Sequence, residues 1–279
     1  MDSFIEKNWK KLELRELQLL QLSVMKELHK VCVKYNITYY LIAGSLLGAI
    51  RHKGFIPWDD DIDIAMMRTD YERFKIIWSE ILPKDKFFLQ SIDSDRDFRP
   101  ALMRLCIRDT YQDIPTEREH RNCKNSYIDI FPLDNVSDNK ENRNKQEIAL
   151  RRINAIIDRK IYHIYPTDSE IKKAIKRSIS FVLKIVPLHW LQERRDKIMI
   201  SYNKENCHCV SSMASKYGFR KQIMPKEIYG TPQLIDFEDT KLFGPEKKEE
   251  YLELLYGSDY MKIPPVEKRI KPHDVYIKQ

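Results

Sequence analysis

The chain has 279 residues, 42% hydrophobic and 33% charged, with 49 Lys and Arg against 42 Asp and Glu and a net charge of +7. That length is roughly two domains' worth and enough for a packed core without disulfides or a structural metal; the composition excludes a disordered chain, and 7 Gly and 13 Pro without a repeat exclude collagen-like and solenoid designs. No 18-residue apolar run occurs, the N-terminal stretch is charged, and the five cysteines (Cys32, Cys106, Cys123, Cys207, Cys209) are scattered, so the expectation is a soluble cytoplasmic chain with free thiols.

Taken in chain order, Leu17, Leu20, Val24, Leu28, Val31 and Tyr35 recur at helical spacing and predict an amphipathic helix over about 11–35. TYYLIAG reads as a buried strand ending at Gly44, and SLLGAIRH as a short helical turn. Gly54 and Pro57 break the chain before DDDIDIAM, a second strand with acidic and apolar residues alternating. Thr69 with Glu72 three positions later forms a capping box, so TDYERFKIIWSEIL is read as a helix. FFLQSI, ALMRLCIR and SYIDIFPL are further strands, completing an α/β core within the first 135 residues or so. From Lys140 to Arg177 there are eleven Lys and Arg against five Asp and Glu, in a helical pattern. PEKKEEYLELLYG closes the chain as a helix opened by Pro245 and stopped by Gly257. The expected organisation is a catalytic core over 1–137, a basic helical insertion over 138–205, and a return over 206–279 that completes the catalytic domain.

The chemistry concentrates in LIAGSLLGAIRHKGFIPWDDDIDIA, residues 41–65. Side chains alternate across a strand, so Asp59, Asp61 and Asp63 share one face if the strand is regular that far back, while Ile62, Ile64 and Met66 enter the core. Asp129 lies between Ile128 and Ile130 and can join Asp61 and Asp63 across a sheet. Two carboxylates about 6 Å apart at an effective dielectric of ~20 repel by roughly 3 kcal/mol, and three such pairs by roughly 8 kcal/mol. That rivals the ~5–15 kcal/mol stability of a whole domain, so the cluster must be solvated, protonated or neutralised. Oxygen-only ligands favour Mg²⁺ or Mn²⁺ over Zn²⁺. An exposed acidic turn is the plainer alternative, but the neighbours argue against it. Gly44 and Ser45 open a helix whose backbone N–H groups can bind phosphate, and Arg51, His52 and Lys53 add positive groups between that turn and the acids.

The pattern GSLLGAIRHKGFIPWDDDIDIAM resembles the LicD family, which includes bacterial phosphocholine transferases and is similar to fukutin-related protein. The resemblance recurs in YIDIFPLD (Tyr127 to Asp134) and YLELLYGSDYMKIPP (Tyr251 to Pro265), and covers residues 25–135 and about 210–273. It implies a nucleotidyltransferase-type α/β fold: a mixed sheet flanked by helices. It further implies transfer of a phospho-alcohol such as phosphocholine from a CDP-activated donor to a sugar hydroxyl of a cell-surface glycan or its lipid-linked precursor (lipopolysaccharide, capsule or teichoic acid), with CMP leaving. On that pattern Gly44 and Ser45 match the phosphate-binding turn, Asp61 and Asp63 the metal-binding pair, Asp129 a third carboxylate and Asp59 a further acidic position.

The expected mechanism has Mg²⁺ on Asp61 and Asp63, with Asp59 nearby, bridging the diphosphate. Asp129 ligates a second ion or accepts the attacking hydroxyl's proton. Arg51 and Lys53 hold phosphate oxygens, and His52 does so or orients a carboxylate. Arg104 is read either as a donor-phosphate contact or as a solvated strand edge. Transfer of a nucleoside monophosphate with release of pyrophosphate uses the same acids and stays open; a nucleic-acid-binding module is disfavoured, because the basic helices lack interleaved aromatic residues.

Other motifs have plainer readings. Cys207, His208 and Cys209 have no partner pair for zinc, and His163 and His189 are ordinary helix residues. Trp58 and Tyr260 are read as packing residues, with stacking on a base or acceptor as the alternative. The stretch IKKAIKRSISFVLKIVPLHWLQERR is read as two helices separated by Pro187, with peripheral contact to the inner membrane face as the alternative.

Overall fold

The computed structural model describes residues 8–113, 124–160, 169–171, 173–175, 178, 185–269 and 272–279. A first strand, β1 (Trp9–Lys11), precedes a long helix, α1 (Leu14–Lys34), whose buried face carries Leu17, Leu22, Val24, Met25, Leu28 and Cys32. The chain then enters a very short strand, β2 (Tyr40–Leu41), and turns at Ala43, where φ is +46°, into α2 (Ala43–His52). That turn confines the predicted TYYLIAG strand to two residues. Five residues of extended chain, β3 (Asp63–Met67), lead directly into α3 (Arg68–Ile81).

β3 is central. It pairs antiparallel with β2 on one side and parallel with β7 (Tyr127–Val136) on the other. β5 (Met103–Ile107) lies antiparallel against β7, and β4 (Phe87–Gln90) against β5, giving the order β2-β3-β7-β5-β4. The long β7 also pairs with β8 (Cys209–Ser211), which pairs with β9 (Ile223–Pro225), so the C-terminal third adds strands to the same sheet. The fold is mixed α/β, as expected. Between β5 and β7 lies β6 (Thr110–Asp113), part of a separate three-stranded sheet with β1 and β12 (Asp274–Lys278). None of those three strands was expected, nor was the hairpin of β10 (Gln233–Phe237) and β11 (Thr240–Gly244).

Helix α4 (Lys140–Lys160) packs on α5 (Leu188–Met199) around a second apolar cluster that includes Leu150, Ile153, Ile157, Leu188 and Met199. Pro187 is the N-cap of α5, as its position suggested; most of 161–184, including His163, lies outside the described residues. α5 docks on the β4–β5 loop, with the Gln192 amide donating to the Phe98 carbonyl and Arg195 to the Arg99 carbonyl at 2.5 Å. A short helix, α6 (Lys226–Tyr229), and α7 (Lys248–Tyr256) complete the set.

Two local expectations are corrected. α3 has no capping box at Thr69: its N-cap is Met67, and Glu72 instead receives Arg68 at 3.2 Å and Lys75 at 2.7 Å. The cause is that β3 runs into the helix without an intervening turn. α7 starts at Lys248 behind N-cap Lys247, so Pro245 lies outside it, whereas Gly257, at φ +91°, does stop it. No helix among the described residues is long and apolar enough to cross a membrane.

Candidate functional site

β3 begins at Asp63, so Asp59 and Asp61 lie on the loop before it rather than in the strand. The loop is gripped from outside: the buried amides of Gln18 and Gln21 on α1 donate to the carbonyls of Ile56, Asp59 and Asp60 at 3.3, 2.9 and 2.9 Å. Gly48 lets α2 pass close to the same segment, since a Cβ there would sit 2.5 Å from the Gly54 carbonyl oxygen. Asp60 is turned toward the C-terminal segment, where its Oδ2 accepts the His273 backbone N–H at 2.6 Å and meets Nδ1 at 2.8 Å.

The start of α2 closes against this loop. Ser45 Oγ accepts the Asp63 backbone N–H at 2.8 Å, and a Cβ at position 44 would lie 2.9 Å from Asp59 Oδ2, so glycine lets that carboxylate approach the helix. Gly44 and Ser45 are therefore placed beside the acids.

Strand register brings the remaining groups together. Asp63 on β3 faces Asp129 on β7, Asp129 faces Arg104 on β5, and Arg104 faces Gln90 on β4. Residues in register share a face, so one row crosses four strands. Asp129 Oδ1 accepts from Arg104 Nε at 2.9 Å, and the guanidinium lies 3.9 Å from the Tyr127 ring centroid and 5.6 Å from that of Phe98. Arg104 is only 6% exposed, which corrects the solvated-edge reading. Asp61, Asp63, Arg104 and Asp129 line one cleft of about 700 Å³.

The acids are electrostatically strained. Burial first, then Asp60, pushes the Asp59 carboxyl up to about 6. Burial and the neighbouring Asp63 hold Asp61 well above the usual carboxylate range, and burial with Asp129 raises Asp63. Carboxyl oxygens of Asp59, Asp60 and Asp61 all lie within 4.8 Å of one another. With Asp60 engaged by His273, the set of Asp59, Asp61, Asp63 and Asp129 could hold a hard divalent cation, which would relieve the repulsion that burial amplifies.

The basic triplet goes elsewhere. Eight residues of helix at 1.5 Å rise carry Arg51 about 12 Å from Ala43. There Arg51 donates to the carbonyls of Tyr260 and Lys262 at 3.0 and 3.1 Å and through Nε to His52 at 2.9 Å. The His52 ring packs edge-on to Trp58, Lys53 ends the helix at φ +60°, and none of the three is among the cleft-lining residues. Besides Arg104, a cation that lines the cleft with the acids is Lys216, which the sequence did not single out. Burial pulls its amine down, but Tyr217 and the charges of Asp61, Asp63 and Asp59 outweigh that and raise it. Asn154 and Asp158 of α4, Arg195 of α5 and Gln222 form another wall of the same cleft. None of these five belongs to a local pattern; only folding assembles them.

The plainer motifs behave plainly. His208 pairs with Asp138 at 2.6 Å, and Cys207 Sγ lies 3.9 Å from the Tyr202 carbonyl. Trp58 carries the Arg269 guanidinium at 4.1 Å, and Tyr260 packs against the core.

Two neighbouring parallel strands present in-register acids beside a helix start, under a cleft with a lysine, in agreement with the nucleotidyltransferase-type fold that the resemblance implies. Residues 36–163 match the family model described as LicD/FKTN/FKRP, nucleotidyltransferase domain. The chain is 31% identical, over 95% of its length and 97% of the relative's, to the lipopolysaccharide cholinephosphotransferase LicD of Haemophilus influenzae. Shorter matches join it to uncharacterized proteins of Rickettsia typhi (46% over 74 residues, 26% of this chain and 22% of the relative) and Rickettsia prowazekii (46% over 70 residues, 25% and 24%). The chain belongs to the LicD family, and is an enzyme of the transferase class.

Proposed function

We propose that the protein moves phosphocholine, or a closely similar phospho-alcohol, from a CDP-activated donor to a sugar hydroxyl of lipopolysaccharide or its lipid-linked precursor, releasing CMP. The observation that carries this reading is full-length similarity to a lipopolysaccharide cholinephosphotransferase, joined to the in-register Asp63–Asp129 pair. In the reaction the acceptor oxygen attacks the phosphorus that bears the alcohol, a new sugar O–P bond forms, and the O–P bond to CMP breaks. Asp129 is positioned by Arg104 Nε to take the hydroxyl proton. Lys216 lines the cleft beside the acids, where its charge would offset that gathering on departing CMP.

Asp59, Asp61 and Asp63, with Asp129 adjoining, are the residues that would hold Mg²⁺ or Mn²⁺. A bound divalent ion there would supply Lewis-acid stabilisation of the leaving phosphate. The experiment is CMP release from CDP-choline and other CDP-alcohols with Mg²⁺, using O-deacylated lipopolysaccharide as acceptor. Acceptor-dependent CMP is expected. Pyrophosphate from nucleoside triphosphates, with no CMP from any CDP-alcohol, would replace this reading with nucleotidyl transfer.

A further inference from the structure

The wall of the cleft formed by α4 and α5 is not used by the chemistry above, and its polar groups are incompletely matched. Arg195 is 7% exposed, yet its one hydrogen bond among the described residues is to the Arg99 carbonyl, leaving most of a five-donor guanidinium unspent. Gln222 is 1% exposed; its amide nitrogen donates to Ser215 Oγ at 2.9 Å while Oε1 has no partner. Asn154 Oδ1 is likewise buried without a partner. Asp158, one helical turn beyond Asn154, makes no hydrogen bond or ion pair among the described residues, though its charge is felt by Arg195. All four line the cleft that holds Asp61, Asp63 and Asp129.

Two buried amide carbonyls lack donors and a buried guanidinium has donors to spare, with the exposed Asp158 carboxylate beside them. A hydroxyl is the small group that does both. A phosphate only accepts, and Asp158 would repel it. A quaternary ammonium wants an open aromatic face, but of the rings lining the cleft Phe98 and Tyr127 already carry Arg104, Tyr217 has the Lys216 and Lys221 amines 5.9 and 5.6 Å from its centroid, and Phe131 is buried. Buried groups left unpaired in the free protein also discriminate strongly for a ligand that satisfies them.

We propose that Asn154, Asp158, Arg195 and Gln222 form the acceptor subsite, reading adjacent hydroxyls of a sugar and presenting one of them to Asp129. This placement rests on the transfer reading, and the basic helical segment thereby acquires a role in acceptor choice.

The test pairs kinetics with binding that needs no turnover. Asn154→Ala, at a half-buried position of α4, and Asp158→Ala, at an exposed one, are expected to raise the acceptor KM roughly tenfold each with the donor KM unchanged, the size of one lost hydrogen bond to a charged or buried group. Saturation-transfer NMR with O-deacylated lipopolysaccharide and no donor is expected to show binding to the wild type and roughly tenfold weaker binding to the variants. An unchanged acceptor KM, a raised donor KM or weakened CMP inhibition (which would make this a nucleotide subsite), or no oligosaccharide binding to the wild type would each overturn the proposal. Oligosaccharide binding that these variants weaken, without CMP release from any CDP-alcohol, would uphold the subsite and overturn the transfer reading.

Discussion

Replacing Gly48 by alanine sets helix propensity against packing. Gly48 lies inside α2, where alanine is favoured over glycine by about 1 kcal/mol, so propensity alone makes Gly48→Ala stabilising. The structure reverses the sign. The new Cβ would sit 2.5 Å from the Gly54 carbonyl oxygen and 3.1 Å from the Ile56 nitrogen. Carbon–oxygen contacts normally begin near 3.3 Å, so the two backbones must part by roughly 0.8 Å. Neither partner is a side chain that can rotate away, which places the cost near the upper end of overpacking, about 3 kcal/mol. The net expectation is a loss of about 2 kcal/mol, or a fall of roughly 4–8 °C in Tm for a protein of this size. The displaced segment leads into Asp59 and Asp61, and misplacement on that scale costs on the order of 10²-fold in rate. Urea unfolding and CMP release at saturating donor would measure both effects. A variant about 1 kcal/mol more stable than wild type, with full activity, would refute the close approach and the account of the loop built on it.

Three further expectations can be checked with purified protein. In EDTA, burial and neighbouring acids hold the Asp63 carboxyl above its ordinary 3.8, so its contribution to stability is full below that value and lost as pH rises toward the raised one; Asp63→Asn should flatten the fall of Tm with pH and abolish turnover. Mg²⁺ at a hundred times its Kd should stabilise the wild type by about 2.7 kcal/mol and Asp63→Asn much less, as read by thermal shift; equal shifts would place the ion elsewhere. Arg68 binds Asp134, which is fully buried, at 2.6 and 2.8 Å and reaches Asp196 at 3.0 Å, so Arg68→Leu should cost about 3–5 kcal/mol in urea unfolding by leaving a buried charge unpaired.

The acids were legible in the sequence because each sits in a short-range pattern, the Asp59–Asp63 spacing and the Ile128-Asp129-Ile130 alternation, although the strand expected back to Asp59 is a loop held by Gln18 and Gln21. Asp63 and Asp129 meet because they lie on adjacent strands. The same nearness misled for Arg51, His52 and Lys53, since the intervening residues form helix and carry them to its far end. Lys216, Arg195 and Gln222 reach the cleft from separate elements, and no local periodicity announces that. β1, β6 and β12 are three to five residues long and pair across almost the whole chain, so their stability is tertiary and their sequences show little.

Gln18 and Gln21 hold the acid loop through main-chain oxygens and not through its side chains. The anchor is thus indifferent to which residues the loop displays, and a relative could exchange loop side chains without losing its seat on α1. The converse burden falls on the helix. A change at Gln21, some forty positions upstream and bonded to the loop through a main-chain oxygen, would behave in an activity screen as an active-site lesion. Variants of this enzyme sorted by distance along the chain would file it in the wrong drawer.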